Sequence, residues 1–247
     1  MGKIFGLANF IKVFPLSIIV SASLLTSTYF LYKGNGDGTA QIISLVAVLV
    51  SAIIFMVTYA LHNKVIASEI VAHVQGEEAP SIQEVFSEFK SYGLTTIGLV
   101  ISFAILYVFI LPTIGSMAGG IFQMSVSGFE FNLLTLFMNL CFIVWLMFGS
   151  AEANTVEATY LETFKYTIGF VFNNFAKVVA FVVAFVIALF ILQFTVVSTA
   201  GGDQLVLMPI KALIFAYVIG FVNTLATSIF VNNIKASDFA EDDDDDE

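Results

Sequence analysis

Six long apolar stretches, at about 13–32, 39–61, 92–111, 131–149, 178–200 and 205–231, alternate with short polar clusters along the chain. A membrane's hydrocarbon core takes roughly 20 residues of helix, so each stretch suffices for one span. The pattern predicts an all-α bundle of six transmembrane helices. Between the second and third stretches the spacing also predicts an amphipathic helix over 81–90 that runs straight into the third. Ile82, Val85, Phe86 and Phe89 recur on one face, and Gln83, Glu84, Ser87 and Glu88 on the other. Pro80 and then Ser81-x-x-Glu84 carry the signature of a capping box, in which the serine oxygen and the glutamate carboxylate satisfy backbone donors at the helix start. Such a helix suits the membrane boundary.

The remaining connections read as follows. In the first stretch Pro15 fits a first helical turn, where its missing donor does no harm. Ser21-Ala22-Ser23 resembles a signal-peptide cleavage site, but the apolar run continues past it, which favours a span. Lys33 to Gly38 is a glycine-punctuated turn, and His62 to Ala79 is polar but compatible with helix. Pro112 is expected to kink or end the third span, with a small-residue turn over 115–120 and an apolar interfacial connection over 121–130. Trp145 falls near the end of the fourth span, where indole rings favour the headgroup level. In the polar connection 150–163, Asn154-x-x-Glu157 predicts a helix start, after which Tyr160, Leu161, Phe164 and Ile168 share a face. Asn9-Phe10-Ile11-Lys12-Val13 and Asn174-Phe175-Ala176-Lys177-Val178 share four of five residues, and Phe89-Lys90 occupies a matching place. This is either a trace of duplication or a common interfacial anchor.

Composition supports the membrane reading: 59% of residues are hydrophobic, 11% are charged, and the mean hydropathy is +0.97. All nine basic residues are lysine, so the chain has no guanidinium fork for phosphates, and nucleic acid is not an expected partner. The net charge of −10 is mostly local, because seven of nineteen acids are the last seven residues, Glu241 to Glu247. The tail 237–247 has no core-forming capacity and suits a basic cytoplasmic partner. Seven lysines (3, 12, 64, 90, 165, 177 and 235) fall on the side of the termini and two (33 and 211) on the other. By the positive-inside rule both termini are cytoplasmic, as are the interfacial helices. The single cysteine, Cys141, excludes an intrachain disulfide.

Pro80 with Phe86 and Gly93-Leu94 before the third span, Leu111-Pro112 after it, a polar connection, Phe164 and a paired last hairpin form a whole-chain pattern. It resembles an archaeal family of polytopic membrane proteins known as domain of unknown function 4013. That resemblance implies a six-span bundle in an archaeal cell membrane and brings no catalytic residues.

The candidate chemistry is sparse. Asn139 and Asn223 fall near mid-span and Gln193 in the outer part of the fifth span, where such amides either line a solute path or fix helix register across the bundle. Ala180, Ala184 and Ala188 offer a small-residue groove for close helix approach. No Asp, Glu, Arg or His lies at mid-span, so proton relays and voltage sensing lack their usual groups. His62, Glu69 and His73 share a helix face and are a weak metal set, and two histidines at the membrane edge make triad chemistry improbable. No cofactor or enzymatic activity is expected. The pattern favours a non-enzymatic membrane scaffold or complex subunit, in contact with lipids and with protein partners or copies of itself. The alternative is a facilitative transporter or channel-like protein for a neutral or lipophilic solute.

Overall fold

The computed structural model describes residues 7–33, 38–106, 109, 113, 123–126, 129–156, 158–198 and 204–234. It is helical apart from one short ribbon. Helices α1 (Leu7–Lys33) and α2 (Gly38–Gln75) precede a short α3 (Ile82–Ser87) and α4 (Phe89–Ile105). Strands β1 (Gln123–Val126) and β2 (Phe129–Asn132) pair antiparallel, with Gln123 opposite Asn132 and Val126 opposite Phe129. Four helices follow: α5 (Leu133–Thr155), α6 (Tyr160–Asn173), α7 (Phe175–Ser198) and α8 (Gln204–Val231). The ribbon occupies the connection expected to be interfacial. The turns expected around 34–37, 115–120 and 201–203, the expected break at Pro112 and the acidic tail fall on residues outside the described ones.

Among the described residues, three helices are long and apolar enough to cross a membrane, over Gln41–Gln75, Leu134–Thr155 and Pro209–Val231; α6 with α7 makes a fourth if the bent pair is one span. The bundle is apolar on its outside. On the first half of α2, Ile42, Ile43, Val46, Leu49 and Ile53 are exposed, whereas Ser44 and Ser51 are buried. The Ser51 hydroxyl lies 2.6 Å from that of Ser27 on α1. This inverts the pattern of a water-soluble helix and suits one surrounded by lipid, where small polar residues do the packing.

Two helices are central: α2 packs against α1, α4, α5 and α8, and α5 against α2, α4, α6 and α8. An aromatic chain fills the largest core. Phe148 of α5 lies 5.4 Å from Phe170 of α6 and 5.2 Å from Phe181 of α7, and Phe170 lies 5.0 Å from Phe230 of α8. These offset and edge contacts lock four helices at one level.

Several boundaries differ from the sequence expectations. The second helix runs on through the polar, helix-compatible segment after 61 to Gln75, ending in a Schellman-type turn in which Gly76 takes φ +77° and Glu77 donates to the Ala72 carbonyl at 2.9 Å. The fourth helix runs to Thr155 rather than 149, so Asn154 is a buried residue inside it and not a helix start. The start lies five residues on, at Thr159, whose N–H donates to Glu162 at 2.9 Å and whose hydroxyl donates to the same carboxylate oxygen at 2.6 Å. Trp145 is buried in the core beside Phe164, 5.7 Å between rings, rather than turned outward.

The capping box at Ser81 is present: its N–H donates to Glu84 at 2.6 Å, and the Glu84 N–H donates back to its hydroxyl at 3.3 Å. The expected helix over 81–90, however, breaks at Glu88. Ser87 and Ser91 donate their hydroxyls to the carbonyls of Glu84 and Glu88, at 2.7 and 2.8 Å, and so compete with the backbone ladder there. A comparable break falls at Asn174, where α6 and α7 meet at 96° and the Asn174 side chain donates to the Phe170 carbonyl. The two breaks precede Phe89 and Phe175, two of the three repeat positions; the third, Asn9–Val13, lies in unbroken α1.

Hydrogen bonds from the Ser81 backbone and side chain hold the Glu84 carboxyl below the ordinary glutamate range. A lowered folded value means that the cap's contribution is present at neutral pH and lost as the pH falls through the folded-state value. Hydrogen exchange at residues 82–87 should therefore quicken in acid. Glu84→Gln, which keeps the cap's hydrogen-bonding shape but cannot titrate, should remove that acid dependence; unchanged acid sensitivity in this variant would place its origin elsewhere.

Candidate functional site

Of His62, Glu69 and His73 on α2, the first two meet side chains of α1. At 1.5 Å per residue His62 and Glu69 stand about 10 Å apart along the axis, too far to share an ion. The structure gives them different partners: Glu69 pairs with Lys12 at 2.6 Å, His73 is exposed, and His62 is fully enclosed. Among the described residues no group of three or more His, Cys, Asp or Glu is placed to hold a metal ion.

His62 is the centre of the most developed polar network. Ser17 Oγ of α1 lies 2.8 Å from Nε2, and Asn223 Nδ2 of α8 lies 3.3 Å from Nδ1. All three side chains are buried. Gly220 permits the close approach, since a Cβ there would come within 3.1 Å of Ser17 Oγ. One set of roles satisfies every contact. Ser17 donates its proton to the Val13 carbonyl at 3.2 Å, Nε2–H donates to Ser17 Oγ, and Nδ1 accepts from Asn223.

The order Ser–His–Asn is that of a nucleophile, a base and an orienting group. The proton directions are the reverse of nucleophile activation, because the serine proton points at Val13 rather than at the imidazole. Ser17 also sits inside a helix, where its own N–H belongs to the backbone ladder and is not a free oxyanion donor. The arrangement acts as a pin that fixes the mutual register of α1, α2 and α8.

A second polar seam lies where α4, α5 and α6 meet. Asn154 donates to Thr96 Oγ1 at 3.0 Å and to the Ser150 carbonyl at 2.6 Å, while its Oδ1 is buried without a partner among the described residues. On another face of α5, Glu152 is 2% exposed and accepts from Thr167 at 2.9 Å. The first turn of α6 is tied to α4 by Ser102 with Tyr160 at 2.7 Å and by Thr95 donating to the Ala158 carbonyl at 3.3 Å. Lys64 lies 5.4 Å above the ring of Tyr92, whose hydroxyl donates to Val85 at 3.0 Å and so holds α3 on α4.

Of the residues singled out from sequence, Asn223 is buried and joined to His62, Asn139 is half-buried on α5, and the side chain of Gln193 on α7 lies outside the described residues. Ala180 is exposed and Ala184 half-buried. Only Ala188 is buried, and Val178 and Phe181 carry most of the inward stripe of α7. Sequence reasoning missed Ser17, Thr96, Glu152, Thr163 and Thr167. The available signals were Ser17 and Ser21 one turn apart inside an apolar stretch, and Thr163 and Thr167 one turn apart opposite Leu161 and Ile168.

Ser17→Ala leaves the imidazole short of a buried partner and should destabilise the protein by about 1–3 kcal/mol. A double-mutant cycle of Ser17→Ala with His62→Phe, read by thermal unfolding in detergent, should give coupling of about 0.6–1.7 kcal/mol. Ser17 should stay unlabelled by a serine-directed fluorophosphonate. Labelling would show an activated hydroxyl and overturn the pin.

No family model, no characterised protein and no solved structure matches the chain.

Proposed function

We propose that this chain is a six-span protein of the cell membrane, with both termini cytoplasmic, acting as a non-enzymatic scaffold or as a subunit of a membrane complex. The observation that carries this reading is Asn223. A solute path needs mid-span amides free to meet the solute, and this one is enclosed and committed to His62. The apolar outer faces of α2 and α7 support lipid contact, and the lysine count of seven against two supports the orientation. In α3, Ile82 and Phe86 remain exposed beside buried Val85, as suits a helix lying at the membrane boundary. The resemblance to the archaeal domain of unknown function 4013 agrees with this picture and rests on residue pattern alone.

The orientation is tested by cysteine accessibility on a Cys141→Ser background. Residue 35 should label only from outside and residue 240 only from the cytoplasm; the opposite labelling reverses the orientation. Phe86→Asp should weaken membrane packing or assembly, whereas Glu88→Lys on the polar side should be nearly silent, and equal effects would end the interfacial reading of α3.

The scaffold reading is tested by gentle purification, blue-native electrophoresis and crosslinking mass spectrometry. The protein should migrate as an oligomer or with partners. Removing Ser237 to Glu247 should reduce capture of a basic cytoplasmic partner, in a manner that added salt imitates, because exposed charges are screened over about 8 Å at physiological ionic strength. A lone monomer that carries neutral solutes into proteoliposomes would replace the scaffold with a transporter.

A further inference from the structure

Each residue of a helix is turned by about 100° from the last, which gives α6 three sides. Thr163, Thr167 and Phe170 face the bundle and are buried. Leu161, Phe164, Ile168 and Phe172 form a second, apolar side that is exposed, and at its two ends Leu161 and Phe172 are 77% and 75% exposed. Glu162, Lys165, Gly169 and Asn173 form a third side, exposed and polar. In water the apolar stripe would be an unfavourable surface, and in hydrocarbon the charged side would be. A helix lying along the boundary between the two satisfies all three sides at once.

The geometry fixes where that boundary runs. α6 meets α7 at 96°, and the outward side of α7 is itself apolar, with Val179, Val183, Ile187 and Phe190 exposed. With α7 across a membrane, α6 lies nearly along the surface, and exposed Phe172 and Phe175 flank the bend between them. The depth follows from α5. The rings of Phe164 and Trp145 meet at 5.7 Å, and Thr167 donates to Glu152 at 2.9 Å, so α6 crosses α5 where its apolar run gives way to Ser150, Glu152 and Asn154. That is the level at which hydrocarbon gives way to headgroups.

We propose that the outward stripe of α6 is a lipid-binding face. The ligand is a membrane phospholipid, with its acyl chains against Leu161, Ile168 and Phe172 and its phosphate near Lys165, which stands beside the stripe with a stem long enough to reach headgroup level. Lipid is favoured over a second copy or a soluble protein because the stripe continues the outer side of α7, so lipid already stands beside it. Ser102 with Tyr160 and Thr167 with Glu152 fasten the inward side of α6 to α4 and α5, so that lipid contact bears on that junction. The site rests on the membrane reading and holds for a scaffold and a transporter alike.

The experiment places spin labels on single cysteines in a Cys141→Ser background, with the full chain in phosphatidylcholine vesicles. Labels at Leu161→Cys, Ile168→Cys and Phe172→Cys should collide with oxygen, which dissolves among acyl chains, more than with a water-soluble nickel chelate, and should report one common depth. Labels at Lys165→Cys, Gly169→Cys and Asn173→Cys should favour the chelate; a Cβ at Gly169 meets nothing within 4 Å. A depth that changes steadily by about 16 Å from 161 to 172, the rise of a helix standing upright, makes α6 part of a span and overturns the proposal. Chelate contact at all six positions overturns it by placing the stripe in water, and dipolar broadening between labels at 161 overturns it by showing a second copy as the occupant. Val183→Cys on α7 separates the two readings: no oxygen contact there fells the membrane reading and the lipid site together, whereas oxygen contact at 183 with chelate contact at 161, 168 and 172 removes the lipid site alone. Should the labelled variants not fold, the unaltered chain decides. A phosphatidylcholine carrying a photoreactive group high on one acyl chain should attach to residues 160–173, and attachment to α7 without any to α6 overturns the proposal.

Discussion

An imidazole enclosed among three helices needs a partner for each ring nitrogen, and those partners come from the first and the last helix of the described bundle. Ser17 and Asn223 are far apart in sequence, yet both contacts are made within 3.3 Å of the His62 ring. In a bundle whose surroundings are as apolar as its side chains, burying leucine or valine does little to choose one sliding position of a helix over another. Polar contacts discriminate. A one-turn slip of α8 would move Asn223 by about 5.4 Å and leave Nδ1 unpartnered in a dry interior. Gly220, which faces Ser17, and the Ser27–Ser51 pair lie on the same helices and agree with the register that the histidine contacts set.

At one end of the bundle the same constraint is met differently. Short α3 and longer α6 each begin at a glutamate-closed cap and end at a break followed by phenylalanine and an apolar helix. The breaks carry local polar side chains: serine hydroxyls around Glu88 and the amide of Asn174 donate to carbonyls of the turn that also accept backbone N–H groups. A 96° bend turns α6 away from α7 while keeping its backbone groups satisfied. Its outward side then carries Leu161, Phe164, Ile168 and Phe172, and its inward side Thr163, Thr167 and Phe170.

The apolar periodicity made the long helices legible, because twenty-residue uncharged runs have few alternatives, and it placed α7 and α8 to within a few residues. The Ser81 cap was legible because its chemistry is local. The end of α5 was not, since Glu152 and Asn154 in sequence look like a polar connection. Lys64, Glu69 and Glu152 continue helices in which they find an aromatic ring, an ion-pair partner and a threonine. The polar network was half visible. Asn223 stood out as an amide in an apolar run, whereas Ser17 did not, because a serine inside a span looks the same whether it bonds its own helix or a histidine forty-five residues away. Burial of Trp145 was likewise invisible, since near the end of a span the same residue suits the headgroup level or the core.

The last six residues of α5 show why a polar stretch need not be a loop. Asn154 and Glu152 point to different sides of one helix, so each would face solvent if α5 stood alone, and the sequence reads accordingly. Each is covered by a different neighbour: α4 brings Thr96 to Asn154, and α6, folded back after its Thr159 cap, brings Thr167 to Glu152. The cost of enclosing these groups falls at the α4–α5–α6 junction, where Asn154 Oδ1, Thr163 Oγ1 and Trp145 Nε1 are buried without hydrogen-bond partners among the described residues. The histidine pin leaves both ring nitrogens partnered, so the two polar regions differ in kind. One is closed and fixes register, and the other joins its helices through contacts that leave several polar atoms around Glu152 and Asn154 without partners among the described residues.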